Sequence, residues 1–402
     1  MKRNLGSVAA LSLVSALVAC GQQEPAAAPL AAPPPATAAE APPPAPPAEA
    51  KKEEPKPVPL TAEQKVKLYQ DSWASLNAKD FAKYQALFAD NATSETLDMG
   101  PPKAGAQAIT DDIRAFTTAF PDVTGEAELT LVNGNNAVGI VLSRGTHKGE
   151  LQTPMGPVAA TNKKIGFLLA QGVELNDAGK IQKQWLAYDG GTVAGQLGLM
   201  PAPHRKAIEA GWSDKPVVIA TGNDAEKANV AAFNQGVEGF NKHDANAVLA
   251  NAADDLVFSE LSAPADRTGK KESVKGLEEM FKAFPDVKLD VKSVWGAGDY
   301  VVSTGSWSGT NTGDMPAAHL KKTGKAVNVQ FVEIDKFAGG KTKNIWIFSN
   351  GAAVAAQLGL LAPKAEAKGK PGKDAKAAEK PATEKPIAAA KPAAPATKPA
   401  AK

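Results

Sequence analysis

Cysteine is all but missing from this chain: there is one among 402 residues, at position 20. A lone thiol makes neither an intramolecular disulfide nor a thiolate metal site, so the fold must rest on apolar cores. Histidine is nearly as scarce, with four in all, and His204, His243 and His319 fall in expected loops without metal-ligand spacing. No metal or other cofactor is therefore expected. Gly-x-Gly-x-x-Gly, a Walker-type loop, a Gly-x-Ser-x-Gly elbow and His-Glu-x-x-His are all lacking. That removes the support for nucleotide-binding, metalloprotease and serine-hydrolase readings. The apolar run from Leu5 to Ala19 is too short for a membrane span, which takes about 20 residues.

Met1-Lys2-Arg3 followed by that run reads as a signal peptide over residues 1–20. Its end, Leu17-Val18-Ala19-Cys20, resembles the bacterial lipobox, which implies lipidation of Cys20 and a membrane anchor through it. An ordinary signal peptide with an incidental cysteine is the plainer alternative. Gly21 follows Cys20 and is not an aspartate, which favours the outer membrane, facing the periplasm, in a Gram-negative host. Residues 21–60 form a Pro/Ala-rich linker that cannot bury a core. At about 3 Å per residue it would hold the first domain up to roughly 100 Å from the lipid. The tail over 362–402 carries ten lysines against four acids, net +6, so the other residues hold 35 bases and 39 acids. It would suit anionic wall polymers or lipid headgroups, or serve only as a solvated spacer. It has no aromatic residue, so no nucleic-acid partner is expected.

What is present is a middle written twice. Phe120-Pro121-Asp122-Val123 recurs as Phe284-Pro285-Asp286-Val287, shifted by 164 residues, as does Gly145-Thr146 in Gly309-Thr310. Gln196-Leu197-Gly198-Leu199 returns as Gln357-Leu358-Gly359-Leu360, shifted by 161, and one three-residue deletion between Glu150 and Lys164 reconciles the two shifts. The period is too long for a solenoid and suits two tandem domains, over 61–200 and 223–361, with a connector over 201–222.

Thr61-Ala62-Glu63-Gln64 is a capping-box signature, and Val66, Tyr69, Trp73 and Leu76 then share a helical face. The second copy repeats the stripe as Val230, Phe233, Val237 and Phe240. A second short helix follows Asp80, and a third covers about Gly105 to Ala119. Strand-like runs follow at Glu128 to Val132, Ala137 to Arg144, Lys164 to Glu174 and Lys180 to Tyr188, with Asn176-Asp177-Ala178-Gly179 as a hairpin turn. Three helices followed by strands predict an α+β class, with helices on one face of a curved antiparallel sheet in each copy.

This order of motifs, with Gly-Lys-Ile-x-x-x-Trp-x-x-x-Asp between Gly179 and Asp189, resembles the SnoaL-like polyketide cyclase family of the nuclear transport factor two-like superfamily. The resemblance covers about 62–200 and 224–361. It implies two cone-shaped barrels, each with an apolar pocket, paired through their outer sheet faces within one chain. It places the family's acid/base residue at Asp189, with His147 as electrophilic partner and Tyr69, Trp73, Trp185 and Trp346 against a ligand. Asp189 is equally a turn residue or a pocket hydrogen-bonding group, and His147 a polar strand residue.

The departures weigh against catalysis. Gln184 stands where catalytic members carry a histidine, and an amide exchanges no protons. In the second copy Asn311 replaces His147, Asn350 replaces Asp189 and Phe233 replaces Tyr69, which reads as a degenerate, non-catalytic domain. The leading expectation is a lipid-anchored envelope protein that binds a small apolar or amphipathic molecule. The alternatives are a cyclase or isomerase in the first copy with Asp189 as general base, and a non-catalytic envelope adaptor.

Overall fold

Each copy begins where a side chain closes a helix end. In the computed structural model, which describes residues 59–153, 156–200 and 203–361, Thr61 and Gln64 cap α1 (Ala62–Asn77) reciprocally. Asn223 and Glu226 do the same for α5 (Asp224–Asn241). The expected stripe buries Tyr69, Trp73 and Leu76 on α1, and Phe233 and Phe240 on α5. Cys20, the linker and the tail lie outside the described residues.

The first copy continues through α2 (Phe81–Ala86), β1 (Phe88–Thr96), β2 (Lys103–Ala104) and α3 (Ala106–Ala119). Then come β3 (Thr124–Asn133), β4 (Asn136–Thr146), β5 (Lys164–Leu175), β6 (Ile181–Ala187) and α4 (Gly190–Gln196). The second copy repeats the order with α6 (Ala245–Val248), β8 (Ala252–Glu260), β9 (Arg267–Thr268), α7 (Lys270–Ala283), β10 (Lys288–Ala297), β11 (Tyr300–Thr310), β12 (Ala326–Ala338), β13 (Lys341–Ser349) and α8 (Gly351–Gln357). The α+β class and its two tandem domains hold.

Two details differ from expectation. β1 is a strand lying between the second and third helices, and it pairs in parallel with β6, as β8 does with β13. Its sequence, Phe-Ala-Asp-Asn-Ala-Thr-Ser-Glu-Thr, is too polar to announce a strand. The three-residue difference between copies is also divided. The main-chain bond from residue 147 to Lys163 is matched by one from Asn311 to Lys325, two residues shorter in span. The β5–β6 hairpin loses the third residue, because Phe88 pairs with Ile181 where Ala252 pairs with Thr342.

The connector joins the first sheet. β7 (Val217–Ile219) runs parallel to β3 at the edge, giving the order β2-β1-β6-β5-β4-β3-β7, against β10-β11-β12-β13-β8-β9 in the second sheet. The concave face of each sheet holds the helices. The opposite faces meet in one apolar cluster, where Leu129, Leu131, Val138 and Ile140 lie with Val302, Val332, Ile334 and Phe348. Arg205 from the connector reinforces the contact by bonding the Ala263 and Glu260 carbonyls and pairing with Asp266. Both sheet faces are thus buried, one under helices and one against the other copy.

Candidate functional site

The repeated motifs turn out to be clasps. Phe120-Pro121-Asp122 ends α3, and the Asp122 carboxylate accepts from the main chain and hydroxyl of Thr146, 2.7 Å each. Asp286 and Thr310 repeat this at 2.6 and 2.7 Å. One residue further lies His147, fully buried and stacked on Phe120. Its Nδ1 accepts from the Thr161 N–H at 3.2 Å, which assigns the proton to Nε2. Burial pushes its pKa below the usual imidazole range, so the neutral ring is favoured.

Asn311 makes the same latch. Its Oδ1 accepts from Thr323 N–H at 2.8 Å, and its Nδ2 donates to the Gly313 carbonyl at 2.9 Å. Asparagine therefore reproduces the acceptor of the neutral imidazole and adds a donor bond to Gly313, whereas the buried His147 Nε2 has no partner, so the exchange between copies costs no structural function. His147→Asn should change stability by less than about 0.5 kcal/mol, whereas His147→Ala strands the Thr161 N–H and should cost about 2 kcal/mol. Urea denaturation of both variants checks this. Equal losses would break the equivalence.

Asp189 is the N-cap of α4. Its carboxylate accepts from Gly191 N at 3.1 Å, Thr192 N at 2.6 Å and, across the interface, Gly351 N of α8 at 2.9 Å. A carboxylate suits two helix N-termini at once, because both present unpaired amides and positive dipole ends. Asn350 meets it from the other side, donating to the Asp98 carbonyl at 3.2 Å while its buried Oδ1 has no partner. Among the described residues no hydrogen bond joins Asp189 to His147, so the expected pair facing one cavity is replaced by two separate structural anchors.

The four expected ligand contacts separate in the same way. Tyr69 and Trp73 lie on the concave side of the first copy, but they fill it. A Cβ at Gly125 would overlap the Trp73 indole, and one at Gly139 would overlap Tyr69. Trp73 donates to Gln171 at 2.6 Å, Gln171 to Gln184 at 3.0 Å, and Gln184 to Ser94 at 3.0 Å. This interior is neutral, packed and free of acids. Trp185 and Trp346 belong to the inter-copy cluster, since strand alternation turns them away from the helices. A shallow depression of about 420 Å³ near Gln85, Asp90 and Asp111 lies outside the cone.

The second copy is built differently inside. Ser303 stands where Gly139 is, Glu333 where Gln171 is and Asp335 where Val173 is, while Val237 and Val248 take the places of Trp73 and Tyr84. Glu333 lies between Ser303 and Ile347 across the ladders, and Asp335 between Val301 and Ile345. The two carboxyls are hydrogen-bonded to each other. Burial raises both, Glu333 to about 7 and Asp335 well above the usual carboxylate range, so the pair holds on to a proton that free carboxyls would give up. Glu260 on β8, raised by burial too, adds a third carboxyl, bonded to Ser262 and Ser349. Arg267 stacks over Phe258 at 4.7 Å and offsets the Glu260 charge. Among the described residues, no group of His, Cys, Asp and Glu is arranged to hold a metal.

A model of the SnoaL-like polyketide cyclase family matches residues 63–197 and 231–358. The chain belongs to that family. Solved structures similar to single SnoaL-like copies include AclR from Streptomyces galilaeus, 26% identical over 34% of this chain and 99% of that one, with a TM-score of 0.31. TsrD from Streptomyces laurentii is 16% identical over 34% and 97%, TM-score 0.30. A LEH-like epoxide hydrolase from M. tuberculosis is 12% identical over 33% and 90%, TM-score 0.28. No curated protein matches.

The acids of the second SnoaL-like copy stand away from the family's acid/base positions, so no motif marks them. A signal was nevertheless present. In Val327-Asn-Val-Gln-Phe-Val-Glu-Ile-Asp-Lys-Phe337, Glu333 and Asp335 share parity with Val327, Val329, Phe331 and Phe337, the core phase of the strand.

Proposed function

We propose that this chain is a lipid-anchored protein of the bacterial envelope whose second SnoaL-like copy binds a small amphipathic molecule, with the first copy paired to it as an intramolecular support. The observation that carries the reading is the contrast between the two concave faces. The first is closed by Tyr69, Trp73 and a neutral amide network. The second keeps apolar walls around polar groups, and Glu333, Glu260 and Ile347 stay part-exposed there. Apolar walls with a few convergent polar groups are what small-molecule sites require. Catalysis by Asp189 has no comparable support, because its oxygens serve three backbone amides. The anchor rests on the Leu17-Val18-Ala19-Cys20 sequence, and the outer membrane on Gly21.

Native mass spectrometry of the protein extracted gently from its source tests both parts. The expected result is a diacylglyceryl-modified Cys20 at the mature N-terminus and a small molecule that co-purifies. Cys20→Ser should release the protein from the membrane fraction. An unmodified Cys20 together with a ligand-free spectrum would overturn the reading.

A further inference from the structure

The core of the second copy is not one body. One cluster is built on Phe240, Leu256, Phe281, Val329 and Ile345, and a second on Phe233, Val301 and Phe337. Asp335 lies at the seam, paired across the ladders to Val301 of one cluster and Ile345 of the other. Glu333 sits one pleat away on the same face. In the first copy the matching positions belong to a single continuous cluster that takes in Val173.

Carboxyls at a core seam demand an explanation, because burying them opposes folding unless something offsets the loss of hydration. The chain offers the pair little. Arg267 acts on Glu260, and neither Lys nor Arg forms an ion pair with Glu333 or Asp335 among the described residues. Asp335 is 4% exposed, yet its Oδ1 has no hydrogen-bond partner. Ser303, 1% exposed and directly opposite Glu333 on β11, also leaves its Oγ unpartnered. Two buried polar atoms, diagonal neighbours on one face of the sheet, thus have no donor or acceptor to meet. Buried polar atoms are normally satisfied, and two of them on one face beside a pair of carboxyls point to a missing group. Asp335 Oδ1 and the negative charge of the acid pair call for a multiply donating cation, and a hydroxyl can add an acceptor. Val237 and Val248 stand where the first copy has Trp73 and Tyr84, so smaller apolar side chains line the second core beside them.

We propose that the ligand of the second copy is an amphipathic primary amine whose ammonium is held between Glu333, Asp335 and Ser303, with its apolar part between the two core clusters. This rests on the small-molecule reading above and adds the chemical class. An ammonium has three donors, enough for the two carboxyls and the hydroxyl together. Its charge replaces the proton that the acid pair otherwise shares, so binding releases that proton to solvent. Glu260 and Arg267 lie along the same face and compensate each other, leaving Glu333 and Asp335 as the uncompensated pair.

The test is calorimetric titration of the full chain at pH 7 with octylamine, octanol and octanoate, which share a tail and differ in head group. Octylamine should bind at least tenfold more tightly than the other two. Glu333→Gln and Asp335→Asn should each weaken octylamine at least tenfold while leaving octanol unchanged. Ser303→Ala, which keeps both acids, should weaken the amine a few-fold and guards against a folding defect in the isosteric variants. If octanol matches octylamine, or if both amide variants keep the amine affinity, the amine assignment falls while the binding reading stands. If none of the three binds, both fall.

Discussion

Replacing Asp189 with alanine is expected to lower the free energy of unfolding by about 3 kcal/mol, a cost set by three lost charge-assisted backbone bonds and two uncapped helix ends. Urea denaturation of the full chain would read it as a fall in the midpoint with little change in slope. The geometry also explains why the copies differ here. Asp189 reaches Gly351 N, while the Asn350 amide oxygen faces Gly190 at the matching place. Two carboxylates at that junction would repel, so one acid and one amide is the stable combination. Asn350→Asp alone should therefore cost about 1–2 kcal/mol at neutral pH. Exchanging the two residues, Asp189→Asn with Asn350→Asp, should restore stability to within about 1 kcal/mol of the parent. Additive losses in the exchange variant would show that the two residues do not share one junction. Asp189 and Asn350 differ, on this account, because of the interface and not through decay of a catalytic site.

The second large effect concerns pH. Glu333 and Asp335 have folded-state pKa values raised by burial, so the folded protein retains protons that the unfolded chain gives up above about pH 4.5. Unfolding in that range releases protons, and stability must fall as pH rises through about 7. At about 1.4 kcal/mol per pKa unit, the Glu333 shift corresponds to roughly 3 kcal/mol. Part of its side chain still meets solvent although protein atoms ring the carboxylate, so about 2 kcal/mol is expected between pH 5 and pH 8. The groups facing the pair are Glu260 from β8, with Arg267 of β9 and Glu279 of α7 beyond it. From α5 they are the uncharged Phe233 and Val237. Glu260 acts in the same direction, since burial raises it too. Glu333→Gln should make the fall shallower, with Asp335 and Glu260 keeping the remainder, and leave the protein more stable than the parent at pH 8. Thermal melts across this range check it, and an unchanged slope in the variant would show that other groups set the dependence.

The proposed reading reverses the functional weight of the two copies. The first has the residues that match the family's acid/base positions, yet Asp189 caps helices, His147 latches a loop, and Trp73 with Tyr69 closes the interior. The second lacks those residues and holds the ionisable groups elsewhere, on β12 and β8. A superfamily fold supplies a cone, and the side chains that line it decide what the cone does.

The sequence alone determined the repeat, the class, the capping boxes, the helical stripes and the Asn176 to Gly179 turn. Each of these depends on neighbours within a few residues or on similarity at a constant shift. It did not announce β1, whose residues are mostly polar because the strand runs where the sheet is only partly covered. Nor could it assign Trp185 and Trp346 to their sides of the sheet. A strand buried on one face shows its orientation by alternation. β6 and β13 are buried on both faces, under helices and against the other copy, and apolar residues at both parities erase that signal. Only the tertiary structure, by putting one face inside the cone and the other at the shared interface, decided which polar groups could meet a ligand and which hold the two halves together.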